Sequence, residues 1–119
     1  MKTKYIDAGI KTFAEEVFEK DKYFTGVEYY HYKNGNKECL GEVDLMGYVE
    51  DTLVIVEYKL RNTKAGRKKA RNQLINHKRY VVPTGEKYAL VLAHGNLHFE
   101  VLEEGVKWPS TYSALLPKK

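Results

Sequence analysis

The sequence predicts an α/β fold, a mixed sheet flanked by helices, with elements in the order α-β-β-β-α-β-β. Three observations predict it. Apolar residues recur at helical spacing in two stretches, one near the start of the chain and one in its middle. Between and after them lie short runs rich in Val, Ile and Tyr, bounded by Gly, Asn and acidic residues, the pattern of strands and turns. The length, 119 residues, suits one domain with one core, spanning residues 1–119.

The elements follow in order. Ile6, Ile10, Phe13 and Val17 share one helical face, with Ala14 on its flank, and predict a helix from about Asp7 to Lys20 with Asp7 as its N-cap. Glu15 and Glu16 lie off that apolar stripe, and taken alone they read as a solvated acidic face. Gly26 to Lys33 alternates as a first strand; Tyr29, Tyr30 and Tyr32 are packing or edge residues there, with stacking on nucleobases as the other use of such side chains. Asn34-Gly35-Asn36 is a turn signal, and Lys37 to Gly47 the second strand. Tyr48 to Thr52 is a polar turn with two acids, and Leu53 to Lys59 the third strand.

Leu60 to Gly66 reads as a basic loop. Gly66 to Val81 is the second helix, with Ala70, Leu74, His77 or Lys78, and Val81 on one side. Val82-Pro83-Thr84-Gly85 breaks it. Lys87 to Ala93 has the look of a buried strand, His94-Gly95-Asn96 of a turn, and Leu97 to Leu102 of an edge strand. Trp108, Tyr112, Leu115 and Leu116 equip the remainder to dock as a short segment; Trp108 and the two leucines equally suit an oligomer interface.

Composition excludes some classes. With 43% hydrophobic and 30% charged residues the chain is globular rather than disordered. The net charge of +4 and the sequence pI near 9.0 lean towards an anionic partner. A single cysteine, Cys39, excludes an internal disulfide and suits a reducing compartment; it reads as a small core or half-buried residue. No apolar run reaches membrane-spanning length and the N-terminal residues lack a signal-peptide core, so the expected location is the cytoplasm.

The chemistry lies where acids and a lysine interrupt the apolar runs. Side chains alternate along a strand, so Glu57 and Lys59 share a face and Tyr58 points to the other. If the second and third strands pair through the turn near Glu50 and Asp51, Asp44 meets the Glu57–Lys59 end. Two carboxylates and an ammonium then converge at one end of a sheet. Burying them is costly unless they pair or hold a cation. An oxygen-only site of this kind suits Mg²⁺ or Mn²⁺, and a lysine beside it can orient a water or stabilise charge on a phosphate.

Asp44 followed by Glu57-Tyr58-Lys59 on the next strand resembles the PD-(D/E)xK nuclease signature. Gly41-Glu42-Val43-Asp44-Leu45 and Val54-Ile55-Val56-Glu57-Tyr58-Lys59 resemble in particular the small branch that includes archaeal Holliday-junction resolvases. The resemblance implies a restriction-endonuclease-like core with the site at the forked end of the sheet. It also implies that Asp44 and Glu57 hold the metal and that Lys59 assists the water. The sequence departs from the pattern at Val43, where proline is common. A helix-one glutamate often joins the metal in this family; Ala14-Glu15-Glu16-Val17-Phe18, with Phe24 beyond, makes Glu15 the match and Glu16 its neighbour alternative. A glutamine on the helix after the lysine strand often sits at the rim of the site, and Gln73, with Tyr80 two turns on, is similar. Glu42 shares a face with Asp44 in a regular strand and is better read as a surface acid.

From Lys59 to Tyr80 there is no acid at all, whereas an ordinary exposed helix mixes signs. Arg61, Lys64, Arg67, Lys68, Lys69, Arg71, Lys78 and Arg79 therefore form the expected grip on a phosphate backbone. His77 reads as structural or phosphate-contacting. Together these features imply a Mg²⁺- or Mn²⁺-dependent endonuclease acting on duplex or branched DNA. A homodimer is expected, because so short a chain needs two subunits to cut two strands. The sequence leaves open a nuclease for single-stranded ends, flaps or RNA, a non-catalytic nucleic-acid-binding module, and a protein whose basic helix meets an acidic partner surface.

Overall fold

The computed structural model describes residues 4–61, 63–94 and 98–104. Its elements are α1 (Lys4–Val17), β1 (Tyr23–Lys33), β2 (Asn36–Val49), β3 (Thr52–Lys59), α2 (Lys64–Val81), β4 (Tyr88–His94) and β5 (His98–Glu104). The strands form one mixed sheet in the order β1-β2-β3-β4-β5, with β3 and β4 parallel and every other pair antiparallel. This is the α/β mixed-sheet architecture expected from the sequence. Among the described residues no helix is long and apolar enough to cross a membrane.

The two helices cover opposite sides of the sheet. Ile10, Phe13, Ala14 and Val17 of α1 pack with Leu45, Val54, Val56, Tyr58 and Val91. Leu74 of α2 packs with Val43, Leu53, Ile55 and Leu90. β3 thus sends Val54, Val56 and Tyr58 one way and Leu53 and Ile55 the other, which is why it reads as an unbroken apolar run. Burying each of its valine and isoleucine side chains stabilises the fold by about 1.5–3 kcal/mol before the entropy of ordering is counted.

Element boundaries shift for identifiable reasons. α1 starts at Lys4, so Asp7 lies inside its first turn, where its charge complements the helix dipole, and is not the N-cap. The helix closes with Phe18 N donating to Ala14 O at 2.9 Å, and Asp21 takes a left-handed conformation soon after (φ 64°), ending it before Lys20. α2 starts at Lys64 rather than Gly66 because Thr63 caps it, its Oγ1 accepting from Gly66 N at 3.0 Å. The β2–β3 turn needs only Glu50, at φ 57°, and Asp51, so both strands run closer to it than expected. Asn34 and Gly35 both have positive φ, the geometry of a tight primed hairpin turn. Cys39 is exposed rather than half-buried, since this end of β2 pairs with β1 alone. The positions of Gly95, Asn96, Leu97, Trp108, Tyr112, Leu115 and Leu116 lie outside the described residues.

One irregularity positions the site. On β1 and β2, Tyr23 and Leu45 belong to the α1 side, but Val27 and Val43 belong to the α2 side. Residues two apart in a regular strand share a face, so both strands turn over between these pairs. The turnover falls where Gly26 stands across from Asp44, between the pairs Thr25↔Leu45 and Val27↔Val43. Gly26 has φ 61°, a left-handed conformation that an L side chain resists.

Candidate active site

The β2–β3 pairing ends at Leu45↔Val56, while β3 stays beside β4 as far as Lys59↔His94. Past Leu45, therefore, the sheet forks. At the fork Asp44 Oδ2 accepts a hydrogen bond from Tyr58 N at 2.9 Å, taking with its side chain a donor that a continued ladder would have used. The Asp44 carboxylate is thereby fixed at the main chain between Glu57 and Lys59. Asp44 is 5% exposed and Glu57 2%.

Glu57 and Lys59 point to the α2 side, and α2 meets both. Glu57 Oε1 lies 2.5 Å from His77 Nε2. Lys59 Nζ donates to Gln73 Oε1 at 3.0 Å. The spacing matches: four residues of helix advance about 6 Å, and two residues of strand about 6.6 Å. Behind His77, its Nδ1 lies 2.8 Å from Tyr29 Oη, and Asn76 Nδ2 donates to the same hydroxyl at 2.9 Å. Burial pushes the Tyr29 hydroxyl pKa above its ordinary value; the Asn76 donor opposes that rise and the nearby Glu57 charge adds to it.

Asp44 also lines a cleft of about 720 Å³ against α1, shared with Asp7, Lys11, Thr25, Gly26 and Glu42. The helix-one acid on this cleft is Asp7. Glu15 is exposed, with Lys11 Nζ 4.0 Å away, and Glu16 is half-buried. No group of three or more His, Cys, Asp and Glu side chains able to hold a metal is gathered among the described residues, which holds for Asp44, Glu57 and His77 taken together as it does for Glu15 and Glu16. Asp7 was legible as one turn before Ile10 and Lys11, but its position near the helix start reads as a cap. Glu42 is exposed yet borders the same cleft.

The cationic residues are placed as follows. Arg61, Lys64, Lys68, Lys69, Arg71 and Arg79 are exposed, and Arg67 and Lys78 are half-buried. Lys78 Nζ sits 4.9 Å over the Tyr88 ring. A shallow depression of about 590 Å³, lined by Lys68, Lys69, Asn72, Gln73 and Asn76, lies along α2. Gln73 borders it while also holding Lys59, so the basic surface and the fork adjoin. Tyr80, two turns on from Gln73, stacks on Tyr29 with ring centroids 5.6 Å apart.

The sequence, in which His77 reads as structural or phosphate-contacting and Tyr29 as a packing or edge residue, does not pair His77 with Glu57 and gives Asn76 no role. His77 is 3% exposed and falls on the apolar stripe of α2 beside Ala70 and Leu74, which is the signal that it faces the sheet. Comparison with protein-family models, with curated proteins and with solved structures finds no match to this chain.

Proposed function

We propose that the protein is a metal-dependent nuclease that hydrolyses phosphodiester bonds in DNA. The observation that supports it most is the pair of buried carboxylates, Asp44 and Glu57, beside Lys59 at the fork, next to a helix with basic side chains and no acids. Two buried acids at adjoining positions are costly to desolvate; the Tyr58 N–H and His77 offset part of that cost, and a bound cation would offset more.

The donor set suits the metal. Carboxylate oxygens favour Mg²⁺ or Mn²⁺, and such ions are commonly held by one or two carboxylates with waters and substrate phosphate oxygens completing the shell. Asp44, which borders the cleft against α1, and Glu57, which points to the α2 side, would be those ligands only for an ion reached from both sides of the fork. A bound ion would polarise the phosphoryl oxygen and lower the pKa of a coordinated water. Lys59, aimed by the neutral Gln73 amide, would stabilise charge developing on the phosphate. The exposed cations of α2, and the positive end of its dipole near Lys64, would hold the backbone. The resemblance of the Asp44 and Glu57-Tyr58-Lys59 segments points to four-way junctions as substrate, with two copies of the chain cutting the two strands.

The test is cleavage of labelled linear duplex, single strand, flap and four-way junction with Mg²⁺ or Mn²⁺ and with EDTA, for the protein and for Lys59→Ala. Metal-dependent cutting that Lys59→Ala removes supports the reading, and the substrate ranking names its branch. A second reading, a non-catalytic nucleic-acid-binding module, is favoured by the burial of Glu57 against His77. Salt-sensitive binding with no cutting of any substrate is its signature.

A further inference from the structure

We propose that His77 is the positioning residue for Glu57: its Nε2–H holds the carboxylate, and the Asn76–Tyr29 pair dictates which ring nitrogen bears the proton. This rests on the reading of Glu57 as a metal ligand.

The hydrogen-bond chain can be followed from a fixed end. Leu40 O only accepts, and it lies 3.4 Å from Asn76 Nδ2, so the Asn76 side chain presents its NH₂ group there. The same nitrogen donates to Tyr29 Oη at 2.9 Å. The Tyr29 hydroxyl, accepting from Asn76, has its own proton left to give, and His77 Nδ1 is 2.8 Å away. In a neutral imidazole that takes this proton, Nδ1 is the acceptor and the ring proton sits on Nε2, the nitrogen that an ionised Glu57 can meet only as a donor. That nitrogen faces Glu57 Oε1 at 2.5 Å. Each donor in the chain meets an acceptor, and the final N–H is spent on the carboxylate.

The chain is held from both strands of the β1–β2 hairpin. Tyr29 pairs across from Gly41, and its ring lies over that residue: a Cβ there would stand 2.6 Å from Tyr29 Cζ. The Tyr29 and His77 rings meet edge to face, centroids 5.5 Å apart at 88°. The imidazole therefore has little freedom to rotate. A hydrogen bond of this kind fixes the orientation of a ligating carboxylate and tunes its basicity, as outer partners of metal sites do.

The experiment titrates Mn²⁺ alone into the full chain and into His77→Ala, His77→Gln and Tyr29→Phe, following binding by calorimetry, with ¹⁵N-histidine NMR to read the His77 tautomer. The expected signature is a protonated Nε2 and an unprotonated Nδ1. His77→Ala weakens Mn²⁺ binding about 10- to 100-fold. His77→Gln, whose amide can still donate to the carboxylate, recovers most of it. Tyr29→Phe lowers affinity and mixes the tautomers. Should His77→Ala fail to fold, the glutamine and phenylalanine variants, which preserve volume, decide the matter. An Nδ1–H tautomer in the unaltered chain, or folded variants binding Mn²⁺ as tightly as the unaltered chain, overturns the proposal. If the unaltered chain shows the Nε2–H tautomer but binds no Mn²⁺, the metal-ligand reading of Glu57 fails and takes the positioning role with it. If it binds Mn²⁺, loses binding in Asp44→Ala and is indifferent to His77, only the positioning role fails.

Discussion

The carboxylate of Asp44 accepts the main-chain N–H of Tyr58 at 2.9 Å, across the point where β2 and β3 stop pairing. The side chain is thus both a strand cap and a candidate metal ligand, and the two roles separate by substitution. Asparagine keeps an oxygen that can accept from Tyr58 N, whereas alanine removes that partner from a buried donor. Asp44→Ala is therefore expected to be less stable than Asp44→Asn by about 1–3 kcal/mol. Both should lose metal-dependent cleavage and keep duplex binding. Thermal denaturation of the two variants checks the first part, and cleavage beside binding checks the second. Equal stability would remove the capping role.

Lys59 and Gln73 invite a different comparison. Their 3.0 Å hydrogen bond joins an ammonium to a neutral amide, so it directs the charge without cancelling it. Lys59→Ala is expected to slow single-turnover cleavage about 10²- to 10³-fold, the usual effect of removing one preorganised donor from a developing charge. Gln73→Ala, which leaves the lysine present but undirected, should cost less. Duplex affinity should change little in either. A Gln73→Ala loss as large as that of Lys59→Ala would mean that Gln73 acts directly on the substrate.

The site was legible where its logic is local. The alternation along Val54 to Lys59 is enough to put Glu57 and Lys59 on one face, and the turn at Glu50 and Asp51 is enough to bring Asp44 to their end of the sheet. What no local pattern reveals is the turnover of β1 and β2 at Gly26 and Asp44, because it depends on one left-handed glycine facing a residue eighteen positions later. That turnover sends Tyr29 towards α2, and with it the link to His77. The helix-one acid was equally non-local: the sequence offers Glu15 or Glu16 and reads Asp7 as a cap, and only the packing of α1 on the sheet puts Asp7 on the cleft beside Asp44. Thr63, by contrast, is a cap residue in plain view, disguised because the basic loop around it lacks the usual acids of a helix start.

Gly41 gives a remote handle on the same network. A methyl group there would collide with the Tyr29 ring that crosses it, and the strand cannot withdraw without breaking its pairing with β1. Gly41→Ala is expected to displace the Tyr29 hydroxyl from His77 and Asn76, destabilising the fold by about 1–3 kcal/mol, as overpacking does. The same variant in a Tyr29→Ala background, with no ring to strike, should cost much less. A double-mutant cycle on thermal or denaturant unfolding measures the difference. Additive effects would show that Gly41 is not there to admit the ring.

The α2 surface separates nucleic acid from an acidic protein as partner. Lys68, Lys69 and Arg71 are exposed, and their replacement by alanine should leave thermal stability nearly unchanged. If they neutralise phosphates, duplex affinity falls for every sequence alike, because backbone contacts position without reading bases. The slope of log affinity against log salt should also become shallower by about 0.9 for each phosphate that is no longer neutralised. A partner-binding helix would give a different pattern: weak duplex binding from the start, and no change in its salt slope on substitution. Fluorescence anisotropy of one labelled duplex across a salt series, for the unaltered chain and the triple variant, distinguishes the two. Affinity alone would not, since removing positive charge weakens any long-range attraction to an anion, whereas the slope counts the ions released where protein and phosphate touch.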